Sequence, residues 1–140
     1  MIVLDTNVLS EAMKPLPAAE VLQWLASQPS ARLFVTSISQ AEILCGLEIM
    51  PNGKRRTALQ SAAEVLFERV FAGRILPFDA DSARLYPGIA ASRRNLGRPI
   101  AQADAQIAAI ARSRGAALAT RNTGDFDVCG VTLLNPWQAR

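Results

Sequence analysis

Met1-Ile2-Val3-Leu4-Asp5-Thr6-Asn7 opens the chain, an apolar run ending in a carboxylate, a hydroxyl and an amide. An apolar run this short, bounded by turn-forming residues, reads as a strand buried on both faces, the kind found inside a parallel sheet. Four more runs have the same character, at residues 33–36, 75–78, 117–120 and 131–134. Segments of helical period separate them, at 18–27, at 40–50 after the Ser37-Ile38-Ser39 turn, and at 55–71, 80–96 and 100–114. Gly97 and Gly115 close the last two, with Pro99 blocking continuation of one and Arg112 and Arg114 complementing the dipole of the other. Short strands alternating with helices are the pattern of βαβ units, so the expected fold class is α/β around a five-stranded, mostly parallel sheet. Pro51-Asn52-Gly53 reads as a turn between helices and no linker or repeat interrupts the pattern. One domain over 1–140 is expected.

Composition removes whole mechanisms. The 140 residues are 50% apolar and contain no histidine, which rules out within this chain a Ser-His-Asp triad, a Cys-His pair and histidine-bearing zinc sites. An enzyme with this composition works through carboxylates, hydroxyls, Lys or Arg, or a metal held by oxygen. Cys45 and Cys129 lack metal-ligand spacing and sit in apolar company, so both are expected to be buried free thiols in a reducing, cytoplasmic setting. No segment has the length and apolarity of a membrane span or signal peptide. The net charge is +3, with 15 Lys+Arg against 12 Asp+Glu. Sequestering acids in a metal site would leave the remaining surface more basic, which suits a nucleic acid.

Four acids stand out by position. Asp5 follows the first strand and so projects from its carboxyl end, where open α/β sheets place ligands, although Asp5-Thr6-Asn7 equally suits a turn or helix cap. Glu42 borders the face carrying Ile43, Leu47 and Met50, with Gly46 leaving room beside it; the competing assignment is a capping box over Ser39-Gln40-Ala41-Glu42. Asp104 lies early in its helix at the edge of the Ile100, Ile107 and Ala111 stripe, an expensive place for an acid that serves only the helix dipole. Asp125 sits in Thr120-Arg121-Asn122-Thr123-Gly124-Asp125-Phe126, the loop that leaves the fourth strand on the ligand side. Four carboxylates brought together repel and are tolerated mainly around a cation, and an all-oxygen donor set selects a hard ion, Mg²⁺ or Mn²⁺.

With those motifs in hand, the chain resembles the PIN-domain ribonucleases. The likeness rests on Asp5-Thr6-Asn7 after a strand, Ser39-Gln40-Ala41-Glu42, Ala103-Asp104-Ala105 opening a helix, and the Thr120 to Phe126 segment. Among them it is most similar to the VapC-type toxins and to their FitB-like branch, whose ending resembles Leu134-Asn135-Pro136-Trp137. The resemblance implies a three-layer α/β/α sandwich with strand order 3, 2, 1, 4, 5 and Mg²⁺- or Mn²⁺-dependent cleavage of RNA. It further implies inhibition by a cognate antitoxin and assembly as a homodimer. Asp5, Glu42, Asp104 and Asp125 then correspond to the catalytic, metal-binding acids, with Asn7, Thr120 and Asn122 as supporting polar groups. Asp127 is an alternative to Asp125, whereas Asp79 and Glu11 read as structural. Arg93, Arg94, Arg98 and Arg121 flank the acidic edge and are the expected substrate contacts; Lys54-Arg55-Arg56 reads as a solvated face.

Phosphotransfer folds also place an aspartate after the first strand, but a haloacid-type hydrolase wants a second at position 7, which is Asn7, and a receiver domain wants paired acids where Asp5 stands alone. A non-catalytic PIN-like module that binds RNA or an antitoxin is the remaining alternative.

Overall fold

The computed structural model describes residues 1–138. Its framework is a parallel sheet whose strands are β1 (Ile2–Leu4), β2 (Leu33–Thr36), β3 (Ile75–Leu76), β4 (Ala117–Ala119) and β5 (Leu133–Leu134), ordered β3-β2-β1-β4-β5. The central strand is β1, paired with Leu33 and Phe34 on one side and with Ala117 to Ala119 on the other. Successive side chains leave opposite faces of a strand, and the core divides accordingly. Ile2, Leu4, Leu33, Val35 and Ala119 join one buried cluster, while Val3, Leu76 and Leu118 join a second.

Six helices cover those faces. The first cluster is completed from α1 (Thr6–Ala12), α2 (Ala19–Ser27), α3 (Ser37–Ile49) and α4 (Lys54–Val65), through Val8, Leu9, Val21, Ile43, Leu47 and Ala63. The second is completed from α5 (Ala80–Asn95) and α6 (Gln102–Ser113), through Ile89, Ile107, Ala108 and Ile110. The result is the expected three-layer α/β/α sandwich with the expected strand order. No helix among the described residues is long and apolar enough to cross a membrane.

Several boundaries differ from the sequence expectation, each for a local reason. Residues 6–12, which lie outside every helix expected from the sequence, form α1, and Asp5 is its cap, accepting from Thr6 N at 2.8 Å. Helix α3 starts at Ser37, not at residue 40, because Thr36 at the end of β2 supplies the cap by accepting from Ser39 N at 3.1 Å. Ser39 is therefore buried inside the helix, and Ser39-Gln40-Ala41-Glu42 is not a capping box. Strand β3 stops at Leu76, before Pro77, which has no N–H to offer a ladder. Strand β5 shortens to two residues at the sheet edge. The helix expected over 55–71 is α4 followed by a π-helical turn, Leu66–Val70, closed by Phe71 N donating to Leu66 O at 2.9 Å. Cys129 is buried, but Cys45 is exposed on α3.

Helix α5 carries Pro87 in its interior. Proline there removes one backbone donor and presses its ring on the preceding turn. Because Pro87 is exposed, no packing is lost on truncation. Pro87→Ala is expected to raise the unfolding free energy by about 1–3 kcal/mol, read as a higher urea midpoint at unchanged slope.

Candidate active site

The carboxyl ends of β1 and β4 lie side by side, and the chain places a hydrogen-bonding residue at each. Asp5 leaves β1 with its N–H donating to Ala119 O at 2.9 Å. Its side chain is buried, with Oδ1 accepting from Thr6 N and Oδ2 accepting from the Thr120 hydroxyl, each at 2.8 Å. Thr120, which follows β4, in turn accepts from Asn7 Nδ2 at 3.3 Å and from Asn122 N at 3.1 Å. The Asn7 side chain closes the ring, its Oδ1 accepting from Arg121 N at 3.4 Å. Asn7, Thr120 and Asn122 thus converge on Asp5.

A second arm comes from α3. The Thr6 hydroxyl lies 2.8 Å from both Glu42 Oε1 and Ser39 Oγ, which ties α1 to α3 and holds the Glu42 carboxylate beside Asp5. Sequence reasoning missed Thr6 and Ser39 as parts of this site. The available signal was a hydroxyl next to each singled-out acid's motif, obscured because both types are also common capping residues.

Asp5, Glu42 and Asp104 line one cavity of about 420 Å³, together with Thr6, Asn7, Lys14, Arg121, Asn122 and Trp137. Asp104 enters from the first turn of α6. Asp125 lies outside the lining, exposed on the 3-10 turn Thr123–Phe126, but close enough for its charge to act on both Asp5 and Asp104. Asp127 points elsewhere, pairing with Arg98 at 3.5 Å, so the geometry favours Asp125 as the fourth acid. Glu11 and Asp79 are held in structural roles: Glu11 accepts from Lys14 Nζ and Ala18 N, each at 2.9 Å, and Asp79 caps α5.

Electrostatics sets Asp5 and Asp104 apart from Glu11 and Asp79. Burial, then the charges of Asp5, Glu42 and Asp125, push the Asp104 carboxyl up to about 6. Burial also raises Asp5, against the hydrogen bonds from Thr120 and Thr6. Glu11 moves the opposite way, lowered first by the hydrogen bond from Lys14. Among the described residues, no ion pair reaches Asp5, Glu42, Asp104 or Asp125. The donor set is all oxygen, with Asp5 and Asp104 desolvated and none of the four ion-paired, which fits a hard divalent cation. No three of the described acids stand close enough together to hold an ion as they are. Glu42 turned toward Thr6 and Asp125 exposed on its turn are the two groups that would move.

The four arginines divide. Arg121 lines the pit and Arg94 is exposed. Arg93 is not positioned to meet a substrate: it shares the buried face of α5 with Ser82 and Ile89, is 4% exposed, and donates through Nη1 to Gly124 O at 3.1 Å and Asp127 O at 3.3 Å. Arg98 Nη2 donates to the same Gly124 carbonyl at 3.1 Å. Both fasten the turn that carries Asp125, so neither has the free guanidinium expected of a phosphate contact. Beside the pit runs an apolar groove of about 860 Å³ lined by Met13, Ile43, Leu47, Met50 and Leu59, with open space at Gly46; it shares Thr6, Ser10, Lys14 and Glu42 with the pit.

A carboxyl raised in the folded state favours folding when protonated. Its contribution is complete below the unfolded value and lost as pH rises through the folded one. The Asp104 contribution to the stability of metal-free protein is therefore expected to grow as pH falls from above 6 towards 4. Asp104→Asn should raise the melting temperature in EDTA at pH 7.5, with the gain vanishing near pH 4. Thermal melts of both proteins across this range check the sign.

Comparison with known proteins agrees with this geometry. The model of the PIN domain family matches residues 2–130. The chain is 44% identical to the VapC ribonuclease Y4jK of Sinorhizobium fredii over 99% of each chain. It is 40% identical to the toxin FitB of Neisseria gonorrhoeae over 98% of this chain and 99% of that one. Its fold superposes with a TM-score of 0.91 on a chain in the crystal structure of FitAcB from Neisseria gonorrhoeae, at 40% identity over 99% and 100% of the two chains. A sheet ordered 3-2-1-4-5, acids gathered at the ends of its central strands, and likeness over nearly the full length lead to one conclusion: this chain belongs to the PIN domain family, among the relatives named VapC and FitB.

Proposed function

We propose that the chain is a metal-dependent endoribonuclease, one PIN domain over 1–140, acting in the cytoplasm as the toxin of a type II toxin–antitoxin pair. The observation that carries this reading is the group of four carboxylates, unpaired among the described residues, at the carboxyl edge of β1 and β4, with Asp104 raised to about 6 by burial and by the other three. The ribonuclease and toxin named among its relatives support it.

Asp5 and Asp104 would hold Mg²⁺ or Mn²⁺, with Glu42 and Asp125 completing the donor set directly or through water. When bound, the ion supplies charge neutralisation at the scissile phosphodiester and lowers the pKa of an attacking water. The chain's own contribution is orientation. Thr120 and Thr6 N fix both Asp5 oxygens, the Thr6 hydroxyl steadies Glu42, and Asn7 and Asn122 hold Thr120 in place. The hydrogen bonds at the strand ends preorganise Asp5, while Glu42 and Asp125 would turn onto the ion. RNA is the proposed substrate. A cognate antitoxin is the proposed occupant of the apolar groove that leads into the pit, and the apolar side chains exposed on α3, Leu44 and Ile49, suit pairing of two copies.

Purified protein incubated with total RNA and Mg²⁺ or Mn²⁺ is expected to yield discrete fragments, with cleavage abolished by EDTA and reduced at least about 100-fold by Asp5→Asn. Cleavage that survives Asp5→Asn would overturn the assignment. RNA binding without any cleavage would point instead to a non-catalytic PIN-like module.

A further inference from the structure

We propose that Arg121, laid on the Trp137 indole, forms a phosphate-binding subsite for single-stranded RNA at the rim of the acidic pit. This rests on the ribonuclease reading for the identity of the polyanion, and on geometry for the rest. The Arg121 guanidinium carbon is 5.1 Å from the centroid of the Trp137 ring. Underneath, Trp137 packs against the first core cluster, so the indole is a fixed platform.

One residue ties the pair together. Asn135 Nδ2 donates to Arg121 O at 3.5 Å, and Asn135 Oδ1 accepts from Trp137 N at 3.0 Å. On the other side, Arg121 N donates to Asn7 in the ring around Asp5. The backbone of Arg121 is thereby locked both to the acids and to the indole, and the Asn135-Pro136-Trp137 segment acquires a task that metal binding alone does not give it.

The stacking has a chemical consequence. A long cationic side chain beside several carboxylates is drawn onto them, where it would neutralise the donors a metal ion requires. Arg121 lines the same cavity as Asp5, Glu11, Glu42 and Asp104, and its charge acts on Glu11, yet it forms an ion pair with none of them. Stacking on an indole engages the face of the guanidinium and leaves its in-plane N–H donors free, in the fork geometry that matches a phosphate. The other cation lining the pit, Lys14, is paired with Glu11 at 2.9 Å. Arg121 is therefore the pit cation positioned to take a phosphate next to the one the acids and metal would engage. A flanking base can stack on the outer guanidinium face, a sequence-tolerant contact.

The test is a binding titration in EDTA, where cleavage does not interfere. Trp24→Phe leaves Trp137 as the sole indole of the two in the chain. A short single-stranded RNA is added at several NaCl concentrations while Trp137 emission and the anisotropy of labelled RNA are followed. Saturable, salt-sensitive binding with a change in Trp137 emission is expected. Arg121→Ala should weaken binding about five-fold or more and lower the slope of log K against log [salt] by about 0.7. Arg121→Lys should keep the salt slope, since the charge remains, but not restore the full affinity, since an ammonium does not bond in a planar fork. With Mn²⁺ present, Arg121→Ala should raise KM and leave kcat near the parent value. Salt-sensitive binding unchanged in Arg121→Ala, full rescue by Arg121→Lys, silent Trp137 emission, or no RNA binding would each overturn the proposal. Arg121-dependent binding without any Mn²⁺-dependent cleavage would remove the nuclease reading and leave the subsite standing.

Discussion

The hydrogen bond from Thr120 to Asp5 joins the carboxyl ends of two neighbouring parallel strands, and the geometry of the site follows from it. Parallel pairing of β1 with β4 sets Leu4 opposite Ala119, so the next residue of each strand emerges at the same level of the same edge. A carboxylate at one and a hydroxyl at the other then meet without any loop having to bend toward the other. Asp5 also caps α1, which turns Thr6 and Asn7 towards α3 and the fourth strand's exit respectively. A single carboxylate thus sets strand end, helix start and ligand position together.

That economy has an electrostatic cost. Most buried acids in folded proteins have a cationic partner or several donors, and Glu11 and Asp79 follow the rule through Lys14, Ala18, Ser82 and Arg114. Asp104 does not. Its carboxyl sits on a helix whose buried positions are four alanines and two isoleucines, Ala105, Ile107, Ala108, Ala109, Ile110 and Ala111, apolar residues that offer no hydrogen bond. Desolvation without a donor to offset it is the main reason its protonation is pushed towards neutral pH.

How much of this was legible in the sequence depended on whether the signal was local. The strands around residues 2–4, 33–36 and 117–120 were legible because being buried on both faces makes each of them an apolar run. The placement of Asp5 and Asp125 beyond strand ends followed directly. Strand order did not follow from periodicity and entered through family resemblance. Helix α1 was hidden because Asp5-Thr6-Asn7 serves a cap and a site equally well, and here it does both. The start of α3 was misplaced because Thr36 and Ser39 are three residues apart and both can cap; which one does depends on where β2 ends, a tertiary fact. Arg93 and Arg94 are adjacent and chemically identical, yet one is buried and the other exposed; only the rotation of α5 against α6 distinguishes them.

The fate of those arginines shows how one residue type is given separate tasks around one loop. Arg93 reaches the turn bearing Asp125 from beneath, with its Nε left without a hydrogen bond, while Arg98 reaches the same carbonyl from the surface. The two guanidinium groups share one backbone oxygen, and the Asp127 carboxylate, 3.5 Å from Arg98, offsets their repulsion. Just past the turn the backbone is strained at Val128, whose φ of 55° lies in the left-handed region that a β-branched residue rarely adopts. Phe126 and Cys129 are buried on either side of it, so side-chain burial and the two arginines together outweigh the backbone strain. The turn is held from both ends while Asp125 stays exposed between them. An acid with no side-chain hydrogen bond of its own among the described residues is thereby held near Asp5 and Asp104 through its backbone alone, free to rotate onto an ion.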